Sequence, residues 1–361
     1  MYSLFKPIAF SLDPELAHDL TLASLEFAAK RPFLCAQLER IYGKSVPSLP
    51  VKCMGIDFKH PVGLAAGLDK EARAIAAFSA MGFSGVEMGT VTPLAQPGND
   101  KPRMFRLLED EAIINRMGFN SSGVEQFVRN LKANSEYTAV SGINIGKNAV
   151  TEIDDAHFDY VSALQRIYSS ADYLTVNISS PNTKSLRDLQ NANYLDHLLG
   201  QIKIAHAKCA KVHKKHVPIA LKVAPDLNDD EIESIAELVV SHQFDGLIAT
   251  NTTVARSDSL KSEHSEQEGG LSGKPLRDDS TECIREFYSH LQGKVQIIGV
   301  GGIENVDDAW QKLLAGADYL QIYSQFIYHG PAMIKDIVKG LKTKIEQAGY
   351  NDIATAMESL R

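Results

Sequence analysis

The feature that most restricts what this chain can become is a series of short apolar, β-branched runs, each followed by a helical pattern. They occupy residues 61–67 (PVGLAAG), 83–91 (FSGVEMGTV), 140–146 (VSGINIG), 173–179 (YLTVNIS), 218–225 (PIALKVAP), 246–253 (GLIATNTT), 295–303 (VQIIGVGGI) and 319–324 (YLQIYS). Runs this apolar suit parallel strands, which are covered on the outside by crossover helices. Asp229 to Val240 reads as one such helix, with Ile232, Ile235, Ala236 and Val239 three and four residues apart. Eight strand–helix pairs close on themselves, so the expected class is α/β, a (β/α)8 TIM barrel.

A chain of 361 residues, 44% hydrophobic and 23% charged, has material for one large core and a small appendage. Its net charge of −8 counts against nucleic acid as a partner. No uninterrupted apolar stretch reaches the roughly 20 residues of a spanning helix, and no signal peptide is visible, so the chain is expected on the cytoplasmic side. Cys35, Cys53, Cys209 and Cys283 have no CxxC spacing and read as small buried hydrophobes.

Residues 1–45 stand apart. Asp13 and Pro14 open a helix with Leu16, Leu20, Ala23 and Phe27 on one side, and a second short helix carries Phe33, Leu34, Leu38, Ile41 and Tyr42. Two short amphipathic helices must pack on the main body, on a membrane surface, or on both; periodicity alone favours a cap on the core. The expected division is thus 1–45, a two-helix amphipathic extension, and 46–361, the barrel. VKCMGIDFKHP reads as a small hairpin closing the barrel's bottom, and FRLLEDEAIINR as a hairpin about Glu109 and Asp110. Residues 254–272, polar and of mixed charge, read as a solvated excursion.

Chemistry in such a barrel gathers at the carboxyl ends of the strands. NISSPNT (177–183) sits at one such end, where Pro181 cannot continue a ladder. Taken alone, such a cluster is a turn and nothing more. GVGGI (299–303) and QIYS (321–324) end the last two strands, where barrels commonly place a phosphate: a mononucleotide cofactor or a phosphorylated substrate. Alternation turns Lys222 inward and Lys70 follows the first strand; a lysine in a barrel's mouth calls for an anion or an electron-rich ring, with snorkelling to the rim the lesser alternative for Lys70 and less still for Lys222. Asn115, Asn144, Asn177, Asn182 and Asn251, with Thr90, Thr250 and Thr252, would suit a small planar ligand with carbonyl and N–H edges. No spacing of Asp, Glu, His or Cys suggests a metal, and Ser180 lies in no GxSxG elbow.

Several stretches together resemble one family: AAGLDK (65–70), GTVTP (89–93), KPRMFR (101–106), NRMGFN (115–120), GINIGKN (142–148), NISSPNT (177–183), KVAPD (222–226), ATNTT (249–253), GGLSG (269–273), IGVGGI (298–303) and QIYS (321–324). The chain is similar over nearly its whole length to dihydroorotate dehydrogenases of class 2, which are membrane-associated and use a quinone. The resemblance implies FMN as cofactor, hydride transfer from C6 of dihydroorotate to flavin N5, and proton removal from C5, giving orotate in pyrimidine biosynthesis. Ser180 matches the base position, where class 1 enzymes have Cys. Thr183 and Phe119 flank its proton relay. Lys70, Asn115, Arg116, Met117, Gly118, Phe119, Asn177, Asn182, Asn251 and Thr252 match the substrate site. Ala66, Gly67, Lys70, Thr90, Asn144, Asn177, Lys222, Thr250, Gly273, Gly302, Tyr323 and Ser324 match the FMN site. His18, Arg106 and Tyr323 match the lining of a quinone tunnel, which gives residues 1–45 a membrane-facing purpose and reverses the preference for a plain cap. The loop from Asn182 through Lys184, Ser185, Arg187 and Asp188 would be a lid.

The implied setting is the cytoplasmic face of a bacterial inner membrane, with dihydroorotate, a quinone and the bilayer surface as partners, and with a monomer admissible. Two alternatives remain at this level. One is a soluble FMN barrel that passes electrons to fumarate or NAD; the other is a non-redox barrel for a phosphorylated sugar.

Overall fold

The computed structural model describes residues 2–361. Three helices come first, α1 (Tyr2–Ser11), α2 (Pro14–Ala29) and α3 (Pro32–Ile41), where the sequence had suggested two. The missed one, α1, is ten residues long and carries Pro7 inside it, which masks the helical pattern. Asp13 caps α2 as expected, its carboxylate accepting from the N–H groups of Glu15 and Leu16. A hairpin of β1 (Val51–Cys53) and β2 (Ile56–Phe58) leads into the barrel.

The barrel begins with β3 (Val62–Leu64), α4 (Ile75–Ala80) and β4 (Gly85–Val91). The excursion after β4 holds the antiparallel pair β5 (Met104–Leu107) and β6 (Ala112–Asn115), then α5 (Val124–Lys132) returns the chain to the wall. Next come β7 (Val140–Ile145), α6 (Ala156–Ile167), β8 (Tyr173–Asn177), α7 (Ala192–His213), β9 (Ile219–Val223), α8 (Asp229–Ser241) and β10 (Gly246–Ala249). After a second excursion ending in β11 (Gly270–Gly273), the series closes with α9 (Arg277–Leu291), β12 (Gln296–Val300), α10 (Val306–Leu314), β13 (Tyr319–Ile322), α11 (Ser324–His329), α12 (Ala332–Gln347) and α13 (Ile353–Leu360). Eight parallel strands close in the order β3-β4-β7-β8-β9-β10-β12-β13, the α/β (β/α)8 barrel expected.

One expectation fails in the second excursion. Residues 254–272 are not merely solvated, because β11 pairs with β6 and makes a three-stranded sheet over the barrel mouth. Leu271, almost fully buried, packs with Phe105, Leu107, Ala112 and Ile114, while Arg256 ties the loop by donating to the carbonyls of Gln267 and Gly269. Four residues with one large apolar side chain give little pattern to read.

Alternation along the strands separates two environments. On β9, Ile219, Leu221 and Val223 join the core under the helices, while Ala220 faces the barrel axis. The axis is filled from the bottom by Phe58 of the hairpin against Tyr319, their centroids 4.0 Å apart, with Met54 and Tyr173. Gly142 makes room for Tyr173, since a Cβ there would lie 2.2 Å from the ring. Above these aromatics the inward positions become polar, namely Glu87, Asn144, Lys222 and Gln321. The chain's apolar bulk therefore ends partway up the axis, and a polar floor begins.

The N-terminal helices are two-sided. Leu22 and Ala29 of α2 are buried and Leu25 packs on the core, whereas Leu16, Leu20 and Phe27, read as one stripe, stay half exposed. On α1, Leu4, Phe5 and Ile8 are 65 to 73% exposed. A plain cap would have buried this face. Buried Glu15 of α2 pairs with Arg103 at 2.8 Å, and Glu26 pairs with Arg73. Among the described residues no helix is long and apolar enough to cross a membrane.

Candidate active site

The polar floor opens into a cavity of about 1110 Å³, counting its mouth, at the carboxyl ends of the strands. Its wall includes Ala66, Gly67, Lys70, Thr90, Asn115, Met117, Gly118, Phe119, Asn177, Ser180, Asn182, Lys222, Thr250, Asn251, Thr252, Gly273, Gly302, Tyr323 and Ser324. Asn144 lies just beneath, and Arg116, Thr183, His18 and Arg106 lie outside the wall.

The floor is organised by Glu87, fully buried and overlooked in the sequence because it sits inside the strand pattern VEMG. Its carboxylate accepts from Asn144 Nδ2 at 2.8 Å, Tyr173 Oη at 3.0 Å and Gln321 Nε2 at 2.8 Å. Asn144 Oδ1 accepts in turn from Thr90 Oγ1 and Asn177 Nδ2. Near this network Lys222 is 5% exposed, and its amine makes no hydrogen bond to protein among the described residues. Burial lowers its pKa, with the Glu87 charge opposing. Gln321 Oε1 is likewise buried without a partner. Two orphaned polar atoms beneath open space mark where a ligand with a complementary edge belongs.

The hydroxyl comes from the loop after β8, the strand next to that of Lys222. Ser180, three residues past the end of β8, is 6% exposed, and its Oγ accepts from the N–H of Asn182 at 3.3 Å. Thr183 Oγ1, three residues on, is buried and unpaired. Asn182 Nδ2 donates to the carbonyl of Asn115 at 2.9 Å, and Asn251 Nδ2 to Ser179 Oγ at 2.9 Å. Asn99, unnoticed in the sequence, donates to the carbonyls of Arg116 and Asn182, joining the first excursion to the loop after β8. That loop is fastened further on by Arg187, which pairs with Asp226 at 2.7 Å and donates to the carbonyls of Ser179 and Thr252. Lys70 donates to Asn120 Oδ1 at 2.7 Å; burial pushes its pKa down to about 8, with Arg103 adding to the fall.

At the end of β12 and β13, Gly301, Gly302, Gly273 and Ser324 converge, and Ser324 Oγ donates to Ser272 Oγ at 2.8 Å. These residues offer a small-residue cradle such as an anion needs. Tyr323 borders the same space, its hydroxyl 3.5 Å from the carbonyl of Gly67.

The remaining candidates face the N-terminal helices or the surface. Arg106 donates to the carbonyl of Ala9 and lies 4.9 Å from the ring of Phe10. His18 on α2 is held neutral, burial pushing its pKa down to about 4. Arg116 turns away from the cavity, stacking over Phe105 at 4.7 Å and donating to Gln267 Oε1. Elsewhere the fold gathers Glu111, Glu304 and His329, a group no sequence spacing reveals, and Lys274 stands 3.4 Å from both carboxylates and balances their charge.

Residues 48–345 match the family model described as dihydroorotate dehydrogenase. A protein of Idiomarina loihiensis named dihydroorotate dehydrogenase (quinone) is 52% identical over 94% of this chain and all of its own length. One of Vibrio vulnificus with the same name is 49% identical over the same shares. Among solved structures, the DHODH of Eimeria tenella in complex with ferulenol superposes with a TM-score of 0.86 at 40% identity, covering 96% of this chain and 95% of that one. With such likeness running from end to end, the chain belongs to the quinone-dependent branch of the dihydroorotate dehydrogenase family.

Proposed function

We propose that the family's reaction, oxidation of dihydroorotate to orotate with a quinone as electron acceptor, is carried out in this cavity with FMN as the flavin and Ser180 as the base. The reaction belongs to pyrimidine biosynthesis, and the enzymes of this family are flavin-dependent. FMN bound on the polar floor would supply the two-electron acceptor for the hydride from C6 and pass the electrons on to quinone.

The observation that carries this reading is that the unpaired amine of Lys222 and the unpaired Gln321 Oε1, on different strands of the floor, both border a cavity that Ser180 also lines. A cation at the floor favours negative charge developing on a ring above it, and a buried donor and acceptor bordering one cavity suit a heterocycle with both kinds of edge. Thr90, Thr250, Asn144 and Asn177 would hold the ring, and Ala66, Gly67, Gly273, Gly302, Tyr323 and Ser324 the ribityl phosphate. Lys70, Asn115, Asn177, Asn182, Asn251 and Thr252 would orient the substrate, with Met117, Gly118 and Phe119 as its wall and Arg116 holding that wall to the second excursion. Ser180 Oγ takes the proton from C5. A serine hydroxyl is a weak base and needs an outlet for the proton, which the buried, unpaired Thr183 Oγ1 would provide, with Phe119 as the other flank of the relay in this reading.

Residues 1–45 form the quinone-side extension and 46–361 the catalytic body in this reading. The exposed apolar face of α1 and α2 rests on the cytoplasmic surface of a bacterial inner membrane without crossing it. Quinone then enters past neutral His18, Arg106 and Tyr323. The test is the visible spectrum of the purified chain: a flavin absorbance bleached by dihydroorotate and restored by a quinone, with restoration lost when residues 1–45 are removed. A colourless protein, or a flavin that dihydroorotate leaves oxidised, refutes the assignment.

A further inference from the structure

Behind the double-glycine turn lies a charge that the chemistry above does not use. Lys312 of α10 is 0% exposed, and among the described residues its ammonium has no carboxylate at ion-pair distance; Asp308, on the same helix, approaches Arg277 instead. Lys312 Nζ donates to Ser280 Oγ at 2.6 Å, Thr281 Oγ1 at 3.0 Å and the carbonyl of Arg277 at 3.3 Å. All three acceptors lie within the first five residues of α9, at the positive end of that helix, where a cation is unfavourable. Three hydrogen bonds satisfy the ammonium, and Asp308 and Asp278 favour its charge from beyond ion-pair distance, but no anion neutralises it at contact, so burying it is still costly.

The geometry gives a reason for the charge. Ser280 Oγ lies 3.2 Å from the carbonyl of Gly301. A Cβ at Gly301 would meet Ser280 Oγ at 2.5 Å, and one at Gly302 would meet the Arg277 nitrogen at 2.7 Å. The first turn of α9 thus packs against Gly301 and Gly302 on one side and holds the ammonium on the other. Both glycines line the cavity.

We propose that Lys312 is a positioning residue for the cofactor's phosphate, its buried charge fixed behind the Gly301–Gly302 turn so that this end of the cavity prefers a phosphorylated flavin to the unphosphorylated one. The proposal rests on the FMN reading above. It makes the phosphate dianion the missing counter-charge, acting through one layer of backbone rather than by contact.

The test is competition between riboflavin and bound FMN on the full-length protein, read by flavin fluorescence, for the wild type and for Lys312→Gln and Lys312→Met. The expected result is a loss of FMN preference on the order of tenfold or more, with riboflavin affinity held, since a unit charge within roughly 10 Å of a dianion, across one layer of backbone, is worth at least that at an effective dielectric of about 20. A lysine that only joins α9 to α10 would weaken both flavins together, and an unchanged ratio overturns the proposal.

If neither variant folds, the wild type decides. Burial pushes the Lys312 pKa down to about 7, with Asp308, Cys283 and Asp278 favouring the charged form and Arg277 opposing it. Raising the pH from 7 to 9 then discharges the amine in the flavin-free protein and lowers the preference for FMN. Carboxylates and the flavin phosphate are ionised throughout that window, and burial pushes the Cys283 thiol up to about 12. Lys70 titrates within it, but at the ring end, where the two flavins are alike. A ratio that stays flat overturns the proposal; a wild type that binds neither flavin removes the FMN reading instead.

Discussion

Replacing Lys70 by Met separates what this residue does for the fold from what it does for the substrate. The fall of its pKa from 10.5 to about 8 corresponds to about 3 kcal/mol against folding at neutral pH. Because the side chain borders an open cavity, solvent screening reduces this to about 2 to 3 kcal/mol. Losing the hydrogen bond to Asn120 Oδ1 takes back about 1 kcal/mol. The substitution should therefore raise stability by about 1 to 2 kcal/mol below pH 8, roughly 1 to 3 °C in Tm for a chain of this length. Its pH dependence is the sharper signature. Between pH 8 and 10.5 the unfolded chain holds more protons at this lysine than the folded one, so the wild type gains stability with rising pH and the advantage of Lys70→Met fades. Paired thermal melts from pH 6 to 10.5 read this directly. If Lys70 holds the substrate's carboxylate as proposed, the same variant should also raise KM for dihydroorotate. A variant less stable than wild type at pH 7, or an advantage independent of pH, would refute the electrostatic reasoning.

Ser180→Ala should keep its flavin but slow flavin reduction by dihydroorotate by about 10²-fold or more, measured by stopped-flow absorbance; near wild-type reduction would dismiss Ser180 as the base. Asn99→Ala removes the bonds from the first excursion to the carbonyls of Arg116 and Asn182, and should raise KM for dihydroorotate several-fold with little change in Tm. Replacing Leu4, Phe5 and Ile8 together by Ser should abolish flotation with lipid vesicles while reduction of a water-soluble acceptor continues; undiminished flotation would count against that surface.

The barrel was legible because each wall strand is apolar on its outer face and bounded by turn residues, a pattern few other folds generate. The lining of the candidate site was legible because Ser180, Asn182, Asn251 and Gly302 all follow strand termini. What escaped notice did so for definite reasons. Glu87 and Lys312 lie within regular elements, where pattern assigns charged residues to the solvent side, yet both are fully buried. Asn99 and Arg103 act through loops whose partners are distant in sequence. The stripe of Leu16, Leu20 and Phe27 was visible, but periodicity could not tell which face of α2 would meet the body. That was decided by Leu22, Leu25 and Ala29.

The pairing of Glu15 with Arg103 and of Glu26 with Arg73 anchors α2 near both of its ends. A helix held at two points resists rocking, so its greasy side is presented as a preset plate rather than a floppy tether. If that side meets lipid as proposed, landing would need no ordering of the helix, and each landing would leave the barrel mouth at the same tilt. A carrier confined to two dimensions would meet its doorway at a constant height, encounter after encounter.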